Sequence, residues 1–179
     1  MLRIAISACL FGERVRYNGG HRRDDALLDA WRGIVEWVPV CPEAECGMGT
    51  PREPVRLVRT GSRIRMLGVD SRNEVTQQME SFARGRIDAL VEAGICAYVL
   101  KARSPSCGVG STPLFDAEGN TERTGSGLFA AALVARLPDL PVAEEEGLAD
   151  PHQREAFLER ARAFERARTT TSPPSPPSR

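Results

Sequence analysis

Residues 2–6 (Leu2-Arg3-Ile4-Ala5-Ile6) alternate and are rich in β-branched side chains, which predicts a strand opening the chain. A second apolar run covers residues 34–40, with Pro39 marking a frayed end. Apolar/Arg alternation over 55–59 and 63–67, on either side of Thr60-Gly61-Ser62, predicts a hairpin. Residues 95–100 are almost wholly apolar, the pattern of a central strand covered on both faces. Between these strands the period lengthens to that of a helix over 73–93. Val75, Met79, Phe82, Ile87, Leu90 and Val91 supply its buried face, and Gly94 ends it. Asp24 or Asp25 caps a short helix carrying Ala26, Leu27, Leu28 and Trp31. Further helices are predicted over 128–137, opened by Gly125-Ser126-Gly127, and over 151–167, behind Asp150-Pro151. Residues 113–120 read as a short excursion and Val142 as a last short strand.

This order argues for an α/β fold: a mostly parallel three-layer, Rossmann-like sheet with helices on both faces and a small β-hairpin. Right-handed crossovers place the C-terminal ends of the parallel strands on one side. The expected organisation is one α/β domain over 1–143, a helical extension over 144–168, and a disordered Thr/Ser/Pro tail over 169–179.

Composition adds little to that picture. In 179 residues, 41% hydrophobic and 27% charged is ordinary for a soluble globular chain. No apolar run is long enough to span a bilayer, and the chain enters a strand at once with no signal-peptide pattern. A cytoplasmic location is therefore expected. Net charge is zero, so no nucleic-acid or membrane surface is expected. The cations are 23 Arg and one Lys, a bias that GC-rich codons explain. The single Lys101 lies three residues before Ser104, where a positive charge would favour nearby thiolates or an anionic substrate.

Chemistry concentrates at the strand ends. Four of the five cysteines fall in the islands Ser7-Ala8-Cys9-Leu10, Cys41-Pro42-Glu43, Cys46-Gly47 and Ser104-Pro105-Ser106-Cys107-Gly108. Cys96 sits inside an apolar strand and reads as a core residue. The loop thiols match neither a zinc ribbon nor a ferredoxin spacing. Spacing alone thus leaves open a shared metal or cluster, a redox thiol pair, and inert thiols. Glu43, beside Cys41, is a candidate proton donor or acceptor and Glu45 a second one. Ser104 is a candidate hydrogen-bonding hydroxyl, or a turn residue before Pro105. Gly108-Val109-Gly110 and Gly125-Ser126-Gly127 are weak anion-binding signals, and His21 is more simply a surface residue.

Taken together, Ser7-Ala8-Cys9-Leu10-Phe11-Gly12, Arg16-Tyr17-Asn18-Gly19-Gly20-His21, Val40-Cys41-Pro42-Glu43, Pro51-Arg52, Leu100-Lys101 and Ser104-Pro105-Ser106-Cys107-Gly108 run in a familiar order. In these islands the chain resembles the family named domain of unknown function 523, which includes the thiouracil desulfidases. The match covers about residues 1–143. The resemblance implies an oxygen-sensitive 4Fe-4S cluster bound by three cysteines, one iron being left open for the sulfur of a thiolated nucleobase. Cys9 and Cys107 correspond to ligands. The third falls in the loop that holds both Cys41 and Cys46. Relatives often carry Gly at the position of Cys46, which favours Cys41, whereas the freer Gly-rich stretch favours Cys46, so both stay. Glu43 would be the acid/base group, Ser104 a substrate-orienting hydroxyl, and Lys101 a nearby charge on the substrate side. Residues 44–49 depart from the Gly-Gly-Leu-Pro pattern common in that loop.

The expectation is a desulfidase that converts C=S to C=O without net electron transfer, the sulfide staying on the cluster. Its partners would be a small thiolated substrate and iron–sulfur assembly proteins, and the chain would be a monomer or homodimer. A non-catalytic iron–sulfur or sulfide carrier, and a metal-free thiol redox protein, are the alternatives.

Overall fold

A computed structural model describes residues 1–171. Its strands are β1 (Leu2–Ser7), β2 (Val35–Val40), β3 (Val55–Thr60), β4 (Arg63–Gly68), β5 (Ala97–Leu100), β6 (Thr112–Phe115), β7 (Thr121–Gly125) and β8 (Val142–Glu144). Its α-helices are α1 (Ala8–Phe11), α2 (Asp25–Ala30), α3 (Thr76–Glu92), α4 (Leu128–Arg136) and α5 (Pro151–Thr171).

The expected parallel sheet has four strands in the order β2-β1-β5-β8, every pairing parallel. Alternation divides its two faces. Leu2, Ile4 and Ile6 of β1 share a core with Leu27, Leu28, Trp31, Phe157 and Leu158 from the α2 and α5 side. Ala5, Tyr98 and Leu100 turn the other way, onto Met79, Ile87, Phe129 and Leu133 of α3 and α4. Helices therefore cover both faces, as the near-continuous apolar strand β5 requires.

The hairpin expected at 55–67 is larger than the sequence pattern suggested. β3 and β4 pair antiparallel, but β3 also pairs in parallel with β6, and β6 in turn with β7. The excursion is thus half of a second four-stranded sheet, ordered β4-β3-β6-β7. Leu57, Met66 and Leu114 anchor it in the core shared with α3 and α4.

Asp24 is the residue that caps α2, its side chain accepting the Leu27 amide at 3.0 Å. α3 starts at Thr76, three residues later than its apolar period suggested. Its buried positions run Met79, Ala83, Ile87 and Leu90, so Val91 falls on the flank and is exposed. α5 continues to Thr171, past the expected start of the tail at 169; residues 172–179 of that tail lie outside the described residues. No described helix is long and apolar enough to cross a membrane.

α5 belongs to the core of the fold. Phe157 is fully buried and stacks on Trp31 at 5.8 Å between ring centroids, and Trp31 stacks on Trp37 at 5.6 Å. This three-ring stack ties β2, the end of α2 and α5 together. Phe157→Ala is expected to destabilise the fold by about 3–5 kcal/mol, read from denaturant midpoints. A loss below about 1 kcal/mol would mean that α5 is only loosely attached.

Candidate active site

Because the strands of the first sheet run parallel, their C-terminal ends share one rim. Cys9 lies in α1, directly after β1; Cys41 follows the last residue of β2; Cys107 lies in the loop between β5 and β6. All three thiols line a single cavity of about 420 Å³ at that rim, together with Glu43, Lys101 and Ser104. All five cysteines are free thiols. Cys46 does not line the cavity: its thiol donates to the Glu43 carbonyl at 3.3 Å and it packs against the core. Cys96 is fully buried, as its apolar strand suggested. His21 is exposed, accepts the Arg23 amide, and does not reach the cavity.

Burial sets the character of the thiols. Desolvation, then the neighbouring Cys41 thiol, pushes Cys9 up to about 11, against the pull of Arg16 and Lys101. Burial pushes Cys107 up to about 12, although the Ser7 and Ser106 hydroxyls hydrogen-bond its sulfur. Cys41 is raised too, again mainly by burial. These thiols keep their protons at neutral pH unless a positive centre in the cavity compensates their charge. Among the described residues no group of three Cys, His, Asp or Glu is arranged to hold a single metal ion. Three soft sulfur donors lining one cavity are the donor type that an iron–sulfur cluster takes.

Glu43 is 9% exposed and both its oxygens are engaged. Arg52 donates from Nε (3.0 Å) and Nη2 (2.8 Å) to Oε2, while the Ser106 hydroxyl donates to Oε1 at 2.8 Å. Nη1 of Arg52 donates to the Val15 and Gly49 carbonyls, so this one guanidinium joins the loops that follow β1 and β2. Nothing in the Pro51-Arg52 island itself signals this role for Arg52. Glu45, the second carboxylate candidate, works away from the cavity. It accepts the Cys41 amide at 2.8 Å and pairs with Arg86 of α3, tethering the Cys41 turn.

Ser104 is both things the sequence allowed. Its Oγ accepts the amides of Ser106 (3.3 Å) and Cys107 (3.1 Å), which shapes the turn, and it faces the cavity. Lys101 also reaches the cavity, but its ammonium is paired with Glu145, which largely offsets the charge expected there. Glu145 accepts the Ala102 amide as well (2.7 Å). Its neighbours act alike: Glu144 accepts the Val109 amide (2.6 Å) and the Ser111 hydroxyl, and Glu146 pairs with Arg103. Three successive carboxylates, the last residue of β8 and the two that follow it, thus clamp the loop that carries Ser104 and Cys107. Their run was visible in the sequence; that it folds back onto this loop was not.

Neither Gly-x-Gly element is free to bind an anion. The amides of Gly127, Leu128 and Ala130 at the start of α4 go to the carbonyls of Gly108, Pro105 and Ser106. The Val109 and Gly110 amides go to Glu144 and the Ser126 hydroxyl. A Cβ at Gly127 would lie 2.4 Å from the Ser106 backbone, so this glycine lets the helix end press directly on the thiol loop.

The geometry can be set beside known proteins. The family model described as 2-thiouracil desulfurase matches residues 4–145. An uncharacterized protein of Bacillus subtilis, YbbK, is 32% identical over 139 residues, covering 73% of this chain and 88% of that protein. Among solved structures, the 4Fe-4S-dependent thiouracil desulfidase TudS is 30% identical, with a TM-score of 0.68 over 89% of this chain and 99% of the other.

Proposed function

The chain belongs to the 2-thiouracil desulfurase family, and from that premise we propose that it is a cluster-dependent desulfidase of thiolated pyrimidine bases. In this reading Cys9, Cys107 and a thiol of the 41–46 loop hold a 4Fe-4S cluster in the rim cavity. The observation that carries it is the convergence of three free thiols, a buried carboxylate and a hydroxyl on one cavity. Cys41 is favoured as the third ligand because it lines that cavity, whereas Cys46 does not and gives its thiol to the Glu43 carbonyl.

When bound, the cluster supplies a Lewis-acidic iron for the substrate sulfur. The protein's own groups do the rest. Glu43 takes up and returns a proton, held in place by Arg52. Ser104 orients the base or its attacking water from the cavity wall. Buried thiols with raised ionisation argue against a metal-free redox protein, whose reactive thiol needs the opposite shift. Five free thiols also support a reducing, cytoplasmic setting in which assembly proteins deliver the cluster.

The test is iron and acid-labile sulfide per chain after anaerobic reconstitution, followed by 2- or 4-thiouracil. About four of each, with uracil release, is expected. Iron without turnover would favour the carrier alternative, and no iron would end the cluster reading. In the same assay Cys41→Ala should lose most of the iron and Cys46→Ala should keep it; the reverse result would make Cys46 the ligand.

A further inference from the structure

Building on the desulfidase reading, we propose that Tyr17 is the platform on which the substrate base stacks, and that it selects flat, unsaturated rings over saturated ones. Tyr17 is the only aromatic residue among the described residues that line the site cavity. It is 41% exposed, whereas Tyr98 is fully buried in the core. The turn that displays it is firmly built. The Gly19 amide donates to the Arg16 carbonyl at 2.8 Å, which puts Tyr17 at the first corner of a β-turn. The Arg16 amide donates to the Gly20 carbonyl (3.2 Å), and Asn18 Oδ1 accepts the Gly20 amide (3.1 Å). The Tyr17 carbonyl itself accepts the Arg52 amide at 2.8 Å. One residue thus fixes both the backbone of Tyr17 and the carboxylate of Glu43.

An aromatic ring on a fixed backbone has only two side-chain torsions to give up when it meets a ligand. Its π face accepts any planar base, whatever groups the base carries at its edge. The Arg16 guanidinium lies over the Tyr17 ring, 5.6 Å from the centroid, so the base takes the other face. The same guanidinium acts on the Cys9 thiol, so ring and thiol share a neighbour. Stacking responds to the flatness of the base and hydrogen bonding to its edge. A pyrimidine saturated between C5 and C6 keeps that edge but puckers, and so loses contact with the platform. Tyr17 therefore acts on binding and choice of ring, and leaves the chemical step to the groups deeper in the cavity.

The experiment uses reconstituted holoenzyme and 4-thiouracil. Tyr17→Ala should keep the wild-type iron and sulfide content and raise KM about tenfold, with kcat within about twofold. Tyr17→Phe, which keeps the ring and loses the hydroxyl, should stay within about twofold of wild type in both. Selectivity is read with two unreactive competitors, uracil and 5,6-dihydrouracil, which differ only in the saturation of one ring bond. Wild type should be inhibited about tenfold more tightly by uracil, and Tyr17→Ala should bring the two inhibition constants to within about twofold of each other. An unchanged KM in Tyr17→Ala, a loss falling on kcat instead, or no preference between the competitors in wild type would each overturn the platform. So would Tyr17→Phe behaving like Tyr17→Ala. Absence of turnover in iron-loaded wild type would instead remove the desulfidase reading, and the platform with it.

Discussion

Replacing Cys107 with alanine is expected to leave the reconstituted protein with no more than about a tenth of the wild-type iron. The expectation rests on how firmly this thiol is placed. Its loop is capped by Ser104, buttressed by the amides of α4, and clamped by Glu144 and Glu145 at the end of β8. A loop held on three sides cannot shift to offer a substitute ligand. Cys96→Ala is the control: it removes an equally buried thiol just before β5, away from the strand-end rim, and should retain full iron. Full iron in Cys107→Ala would rule out the cavity as the cluster site, whatever the control does.

Arg52→Ala should have the largest effect on the folded protein itself. The guanidinium and Glu43 are 7% and 11% exposed at their side chains, so removing one leaves the other buried without its counter-ion. The expected loss is about 3–5 kcal/mol, measured by denaturant unfolding of the metal-free chain. Arg52→Lys should recover only part of it. A single ammonium cannot reproduce the fork that binds Glu43 while also reaching the carbonyls of Val15 and Gly49. A change below about 1 kcal/mol in Arg52→Ala would mean that other contacts hold the carboxylate.

What could be read from sequence was whatever a local period encodes. Alternation and apolar density located β1, β2 and β5, and the parallel α/β arrangement then brought Cys9, Cys41 and Cys107 to one rim. The second sheet was only half visible, because β7 (Thr121–Gly125) is short, polar and mostly exposed, with no apolar alternation to mark it. α5 was hard to place for a related reason. Phe157, Leu158 and Ala161 form a narrow buried stripe in an otherwise charged helix. At the site, the residues legible in advance were those within the cysteine islands. The support around them depends on pairs far apart in the chain: Arg52 with Glu43 and Val15, Lys101 with Glu145, Ser106 with Glu43. No local pattern carries such a pairing, since each half alone is an ordinary surface-type residue. The same limit explains Lys101, whose charge was expected to be available and is instead neutralised by a partner 44 residues away.

The glutamate clamp has a consequence for the order in which the protein is made. All five thiols, from Cys9 to Cys107, precede the acidic run at 144–146 in the chain and are made before it. Until that run emerges, Lys101, Ala102, Val109 and Arg103 lack the partners that close their loop. The loop that carries Cys107 is therefore fastened only once residues 144–146 have been made and have folded back onto it.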